Sequence, residues 1–305
     1  MILITGATGY IGRHLVSRLV DRGNRPRCLV RDIDRASQIL PADKVEFVQG
    51  DTTRPDSLAA AVQGIDTIVH AGFITADRKE APGNHYEETN VVGTQNLIQA
   101  AQDARIKRMI EISGLGTKPD KPGSYMQGRY LAEKILMESG LEWTIIRPSV
   151  LFGKGAPFIK GLVELIQTAP VLPLIGGGKM LFQPIYVEDV VSVIVAVLDN
   201  QVGATGKIYT IGGPEHYSFT QIFDELLQAM HKKRLKVYAP RPLVGVGAAA
   251  MEAVLPKPPL TKAAMTLFSF DNITDLDSIE RDFGFTPLSF TKYLEEHGIT
   301  TGEVQ

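Results

Sequence analysis

The sequence is short of everything that would make it a disulfide-stapled, membrane-spanning or metal-clustered protein. It carries one cysteine, Cys28, in 305 residues, which rules out an internal disulfide framework and suits a reducing compartment. Cys28 lies in an apolar stretch and reads as a small buried hydrophobe. Long apolar runs are missing. Residues 190–198 are interrupted by Ser192 and residues 244–251 are shorter still, whereas a membrane span takes about twenty residues. No transmembrane segment is therefore expected. Charge of one sign is also missing: 32 basic against 34 acidic residues leave −2, which gives no electrostatic reason to expect nucleic acid or an anionic membrane as partner. The six histidines are scattered without metal-ligand spacing, so no metal is expected. There is no Gly-x-Ser-x-Gly elbow, no Walker A loop, no internal repeat and no low-complexity tail. The first strand pattern begins at residue two, which is read as leaving no room for a signal or transit peptide and makes the cytoplasm the expected compartment.

What is present begins at once. Residues 2–5 form a short apolar strand pattern, Gly6, Gly9 and Gly12 follow at spacings of three, and Ile11, Leu15, Val16, Leu19 and Val20 mark one apolar face of a helix. In a strand-turn-helix of this kind the first glycine allows the tight turn and the second lets backbone N–H groups approach a phosphate. The third lets the helix pack on the strand. The helix N-terminus adds unpaired donors and partial positive charge, so the turn is expected to cradle a dinucleotide pyrophosphate.

Further strand patterns at 27–31, 45–49, 67–71, 108–113 and 143–147 alternate with helical patterns near 10–22, 34–40, 55–62, 86–104 and 125–139. Such alternation implies right-handed crossovers and an α/β, Rossmann-like, doubly wound parallel sheet, with ligands at the carboxyl ends of the strands. After Pro148 the alternation stops. Stretches 153–161 and 170–179 are rich in glycine and proline and read as loops. A strand at 182–187 and a helix at 188–198 are expected to return to the main sheet, and Ser218 with Gln221 marks a capping box for a helix over 219–231. The expected organisation is a nucleotide-binding domain over 1–150, rejoined by 182–200, and a smaller C-terminal substrate lobe from 151–181 and 201–305.

The motifs Thr5-Gly-Ala-Thr-Gly-Tyr-Ile-Gly12, Gly50-Asp51, Val69-His-Ala-Gly72, Glu88-Thr-Asn90-Val-Val-Gly93-Thr, Ile112-Ser113-Gly, the helix start at Tyr125 and Arg147-Pro148-Ser-Val-Leu-Phe-Gly153 occur in that order. The chain thereby resembles the extended or atypical short-chain dehydrogenase/reductases of the epimerase/dehydratase superfamily. It is most similar to the branch containing the nucleotide-binding accessory subunit of respiratory complex I. The resemblance implies cofactor contacts from Gly6, Thr8, Gly9, Tyr10, Ile11 and Gly12, from Asp51 and Thr52 at the adenine, and from Ala71 and Gly72 at the ribose and pyrophosphate. It implies that Asn90 braces its helix and that Pro148 borders the nicotinamide. His70 reads as a packed strand residue rather than a ligand.

An NAD-type site would place an acid at the end of the second strand. This chain has Arg31 there, followed by Asp32, with Arg35 nearby. Arginine can grip a 2′-phosphate bidentately, so NADP(H) is expected in preference to NAD(H). The alternative is that Arg31 is solvated and Asp32 turns in to hold NAD.

In the family a Ser or Thr, a Tyr and a Lys four residues beyond the Tyr form the catalytic trio. Ser113 and Tyr125 occupy the first two places, and the third holds Arg129. Tyr130 and Lys134 also satisfy the spacing, but Glu133 fits the family's helix only if Tyr125 leads. Tyr130 also lies about 140° around the helix from Tyr125. The expected trio is Ser113, Tyr125 and Arg129, in an oxidoreductase acting on a carbonyl or alcohol of a small or partly apolar substrate. Arginine is planar, bulkier and never neutral, so cofactor binding should survive the replacement better than turnover. Two alternatives stay open: a non-catalytic NADP(H)-binding structural or assembly subunit, and a sugar-nucleotide epimerase or dehydratase. Residues 240–259, with five prolines around an apolar centre, read either as a cover for the substrate pocket or as a docking surface for a protein or membrane complex.

Overall fold

The computed structural model describes residues 1–76, 78, 80, 85–200, 202–254 and 260–299. The strands are β1 (Ile2–Thr5), β2 (Arg27–Val30), β3 (Glu46–Gln49), β4 (Thr67–His70), β5 (Arg108–Ile112), β6 (Glu142–Pro148), β7 (Leu151–Phe152), β8 (Val171–Ile175), β9 (Leu181–Phe182), β10 (Ile185–Tyr186), β11 (Lys207–Ile211), β12 (Tyr217–Ser218) and β13 (Leu235–Ala239). The helices are α1 (Tyr10–Asp21), α2 (Ile33–Ser37), α3 (Ala59–Val62), α4 (Gly93–Asp103), α5 (Tyr125–Glu138), α6 (Pro157–Thr168), α7 (Val187–Leu198), α8 (Phe219–Ala229), α9 (Arg241–Val254), α10 (Ser278–Phe283) and α11 (Phe290–His297).

Seven strands form the main sheet in the order β11-β6-β5-β4-β1-β2-β3. Every pairing among β1 to β6 is parallel, with Ile4 opposite both Cys28 and Val69. The chain steps from β1 outward to β3, then returns to β4 and moves the other way, so the strand order reverses between β1 and β4. With right-handed crossovers this reversal puts α1 on one face and α4 and α5 on the other. On the latter face Leu58, Leu97, Ile98 and Leu136 pack with Leu3, Ile68, Met109 and Ile145 into one core cluster. Helix α1 is tied to the end of α7 by ion pairing of Arg22 with Asp199 at 2.7 Å. The fold is therefore the α/β doubly wound sheet anticipated from strand–helix alternation.

The chain divides into two compact units. One comprises 1–75, 80–147 and 191–209; the other comprises 76–79, 148–190 and 210–305. In the second unit three two-stranded pairings, β7 with β10, β9 with β12 and β8 with β13, surround aromatic packing in which Phe182 meets Phe158, Phe219 and Phe268 at centroid distances of 5.5, 6.0 and 5.7 Å.

Several local expectations need correction. Residues 153–161 and 170–179 are not simply loops: α6 starts with Pro157 in its first turn, and β8 runs through Pro173. Proline is tolerated in the first helical turn and on an edge strand, so there it opens one element and does not break the other. The strand expected over 182–187 is split into β9 and β10 by Gln183 and Pro184. The Gln183 side chain instead donates to the Gly213 carbonyl and accepts from the Thr274 N–H, both at 2.7 Å. The expected capping box is present at the start of α8, with Ser218 accepting from the Gln221 N–H. Most of the apolar 240–259 segment is α9; residues 255–259 lie outside the described residues.

Candidate functional site

The opening turn is built to a tolerance that only glycine meets. Gly6 has φ +69°, and a Cβ there would fall 2.4 Å from the Ala71 carbonyl oxygen at the end of β4. A Cβ on Gly12 would fall 2.1 Å from the Gly6 carbonyl oxygen. The Gly9 N–H closes the turn onto that same carbonyl at 2.8 Å. Gly72 is equally confined, 2.9 Å from the Thr5 hydroxyl oxygen if it carried a Cβ. The carboxyl ends of β1 and β4 thus meet backbone to backbone where the strand order reverses. Helix α1 begins at this point with Gly9 as an N-cap that contributes no side-chain bond, and its first turn holds no acid. A helix N-terminus of this kind turns N–H donors and partial positive charge toward an anion. Thr8 is exposed at the tip, and Tyr10 and Ile11 are half-buried behind it.

A directed chain of hydrogen bonds braces the junction from beneath. The Thr94 hydroxyl donates to the Asn90 carbonyl at 2.6 Å, so its oxygen accepts from His70 Nε2 at 3.0 Å. Nδ1 is then bare and accepts from the Thr5 hydroxyl at 2.6 Å. His70 is fully buried; burial first, and the Arg129 charge second, push its pKa down to about 3, so it stays neutral. It is a packed residue. Asn90 is buried in the π-helical turn Glu87–Val92 and clamps Ile74, accepting its N–H at 2.8 Å and donating to its carbonyl at 3.2 Å.

At the end of β2, Arg31 is exposed, and Asp32 caps α2 by accepting the Arg35 N–H at 2.9 Å. At the end of β3, Asp51 Oδ1 accepts from the Thr53 N–H and hydroxyl, both at 2.9 Å, while its other oxygen takes no part in those bonds. The buried Thr52 carbonyl accepts from Asn96 at 2.9 Å.

At the end of β5 the Ser113 hydroxyl lies 3.3 Å from that of Thr117. Ser124 caps α5 and donates to Asp120 at 2.7 Å, which makes Tyr125 the first helical residue. The Tyr125 hydroxyl lies 3.9 Å from where a Cβ on Gly114 would be, so Ser113 and Tyr125 share one locus. Arg129, one turn later, is only 5% exposed. Its Nη1 donates to the Ile112 carbonyl at 2.9 Å, and its guanidinium carbon sits 4.4 Å from the Phe73 ring centroid and 5.6 Å from that of Tyr125. Lys134 is half-exposed and pairs with Glu138 at 3.8 Å. Pro148 is the buried last residue of β6.

Cys28 is buried, and burial pushes its thiol up to about 12, which removes it as a nucleophile. Two residues of this locus escape a sequence reading. Phe73 supplies the face on which Arg129 rests. Glu111, buried in β5, has both carboxyl oxygens without a hydrogen-bond partner, as has Arg129 Nε. Burial and the neighbouring Glu133 push Glu111 up to about 8, against the pull of Arg129 and Arg147. A charged residue in an apolar strand pattern was the available signal for Glu111; nothing local marks Phe73.

A family profile described as NAD(P)H-binding matches residues 6–201. The chain belongs to this NAD(P)H-binding family. The match spans the glycine turn, the β4 junction and the Tyr125 helix, and the family fits the site, since the glycine cradle leaves room for nothing bulkier than backbone. Among relatives of this NAD(P)H-binding protein is a mitochondrial protein of Arabidopsis thaliana named NADH dehydrogenase [ubiquinone] 1 alpha subcomplex subunit 9. It is 26% identical, over 90% of this chain and 68% of that protein. A 3 beta-hydroxysteroid dehydrogenase/Delta 5-->4-isomerase of Mycobacterium tuberculosis is 28% identical, over 95% of this chain and 87% of its own length. A ceramide reductase of Caulobacter vibrioides is 29% identical, over 83% and 78%. These similarities agree with the short-chain dehydrogenase/reductase resemblance and make the protein a member of an oxidoreductase-type family. Among the described residues no helix is long and apolar enough to cross a membrane.

Proposed function

We propose that this protein is an NADP(H)-preferring oxidoreductase that interconverts a ketone and a secondary alcohol on a largely apolar skeleton. The observation that carries the reading is the locus at the end of β5, where the Tyr125 hydroxyl faces Gly114, the residue after Ser113, and the Arg129 guanidinium carbon lies 5.6 Å from the Tyr125 ring centroid. When bound, the reduced nicotinamide supplies a hydride to the carbonyl carbon. The Tyr125 phenol gives its proton to the carbonyl oxygen and recovers one from solvent. Ser113 donates a hydrogen bond to the same oxygen and orients it. The fixed positive charge of Arg129 near the ring favours the phenolate that this transfer leaves.

The cradle of Gly6, Thr8, Gly9, Tyr10, Ile11 and Gly12 takes the pyrophosphate, with Ala71 and Gly72 along its other edge. Asp51 and Thr52 take the adenine, Asn90 holds the Phe73–Ile74 backbone in place, and Pro148 borders the nicotinamide. Arg31 takes the 2′-phosphate with Arg35 beside it. The Asp32 carboxylate is already engaged as a helix cap, which supports NADP over NAD. The apolar substrate class rests on the steroid and ceramide named for two relatives.

The test is a fluorescence titration with NADPH and NADH, followed by assay against steroidal and long-chain ketones. Binding should favour NADPH, Arg31→Asp should remove that preference, and Tyr125→Phe should abolish turnover while leaving binding intact. Turnover lost in Tyr130→Phe and retained in Tyr125→Phe would refute the assignment.

One observation favours a second reading, a subunit that holds NADP(H) without consuming it. Arg129 is buried, bonded to the Ile112 carbonyl and stacked on Phe73, so it lacks the freedom of a lysine ammonium in a proton relay. Tight binding without turnover on any ketone, unchanged by Arg129→Lys, would support that reading together with the complex I relative.

A further inference from the structure

The near-neutral net charge conceals a local surface of opposite character. Of the chain's 32 basic and 34 acidic residues, seven basic and one acidic fall between His231 and Lys262. The same stretch exposes much of the molecule's large apolar surface. On α9 the outward residues are Leu243 at 69%, Val246 at 69% and Val254 at 79% exposure, with Ala250 between them. Their spacings of three, four and four residues make one continuous stripe, about 17 Å long at the rise of a helix. The helix's one buried residue is Ala248. A cover over an apolar pocket would turn its larger side chains inward; α9 leaves Leu243, Val246 and Val254 outward, with Val244 and Met251 half-buried. Ten consecutive residues, from Pro242 to Met251, carry no polar side chain other than backbone.

The strand that leads into α9 repeats the pattern. β13 pairs with β8 so that Leu235 lies beside Val171 and Val237 beside Pro173. Leu235 is 65% exposed, Val237 44% and Val171 40%, and Tyr238 projects at 63%. Around these apolar groups stand Lys233, Arg241 and Lys262, all exposed. Two other basic residues are engaged in place: Lys236 pairs with Asp224, and Arg234 donates to the Ile166 and Ala169 carbonyls. The acid of the stretch, Glu252, accepts the Lys262 N–H at 2.8 Å.

We propose that β13 and α9 form a surface that docks on an anionic lipid bilayer, α9 lying in the interface with its Leu243–Val246–Val254 stripe among the acyl chains. A bilayer asks of a protein only apolar surface with a cationic border, which is what this segment offers. A protein partner's interface would also ask for side-chain hydrogen bonds about its apolar core, and the stripe has no polar side chain to pair. A second copy placed on it across a two-fold axis would bring the two cationic borders together.

The experiment is co-sedimentation of the full chain with vesicles of phosphatidylcholine, and with vesicles of phosphatidylcholine and phosphatidylglycerol in equal parts. The chain is expected to pellet with the mixed vesicles alone, and to be released by high salt. Leu243→Asp with Val246→Asp should leave it in the supernatant, with an unchanged circular dichroism melt because both side chains are exposed. Lys233→Gln with Lys262→Gln, which leaves the stripe intact, should weaken binding to mixed vesicles about fivefold per charge removed. Failure to pellet with mixed vesicles at low salt, equal pelleting with both compositions, or equal pelleting of the Asp double variant would overturn the proposal. So would a dimer, seen by light scattering, that the Asp double variant dissociates. NADPH titration of the same variants is expected to be unchanged, so failure here is separable from failure of the oxidoreductase reading.

Discussion

Replacing Glu111 by glutamine should make the protein more stable, and only at the alkaline end. The folded chain holds the Glu111 proton up to about pH 8, whereas its ordinary value is 4.5. Between those limits the native state binds a proton that the unfolded chain has released, so stability falls as pH rises through the window. Below pH 4.5 both states are protonated and the side chain costs nothing extra. Above pH 8 the full cost applies, about 5 kcal/mol at 1.4 kcal/mol per pH unit. Between pH 5 and pH 8 the change amounts to about 3–4 kcal/mol. Glu111→Gln is close in shape and cannot ionise; its amide brings two N–H donors where the protonated acid has one O–H, a difference that does not vary with pH. Urea unfolding of both proteins at pH 5, 6, 7 and 8, with equal m-values, should show the glutamine variant gaining on the parent by about this amount between pH 5 and pH 8. Titrating groups that do not interact with Glu111 cancel in the difference. A gap independent of pH, or a glutamine variant less stable at pH 8, would refute the assignment of a buried neutral acid.

Three further outcomes follow from the same region. Arg147 makes a bidentate pair with the fully buried Glu133, so Arg147→Met should cost about 3–5 kcal/mol in unfolding free energy by stranding that carboxylate; a loss under 1 kcal/mol would contradict this. Gly6→Ala should cripple NADPH binding and lower stability, because its Cβ meets Ala71 backbone, whereas Gly23→Ala, also at positive φ but in open space, should cost about 1 kcal/mol and leave binding alone. His70 should show its imidazole proton on Nε2 in a long-range proton–nitrogen spectrum, without titrating, from pH 8 down to pH 5; a charged ring at pH 6 would undo the Thr5–His70–Thr94 chain.

Much of the fold, and the glycine turn at its head, could be read from sequence because their signals are local. Strand β1, the Gly6–Gly9–Gly12 turn and the apolar face of α1 are adjacent in the chain, and burial on both faces gives each parallel strand a short apolar core. The loops expected at 153–161 and 170–179 were misjudged for the same reason. Glycine and proline are strong local punctuation, yet Pro157 begins α6 and Pro173 sits in the edge strand β8. Phe73 and the His70 chain leave no local signal, and Glu111 only a lone charge in an apolar strand, because their roles depend on partners dozens of residues away.

By itself, then, the sequence determined the alternation of strands and helices up to Pro148, the glycine turn that invites a dinucleotide, and which residue types stand at the strand ends, since periodicity and glycine spacing are short-range. Tertiary structure alone decided that Arg129 lies buried on Phe73 instead of reaching freely outward, that Glu111 keeps its proton, and that α9 turns Leu243, Val246 and Val254 to solvent. Those are consequences of burial and of charge brought together across the fold, and neither is a property of any stretch of chain taken alone.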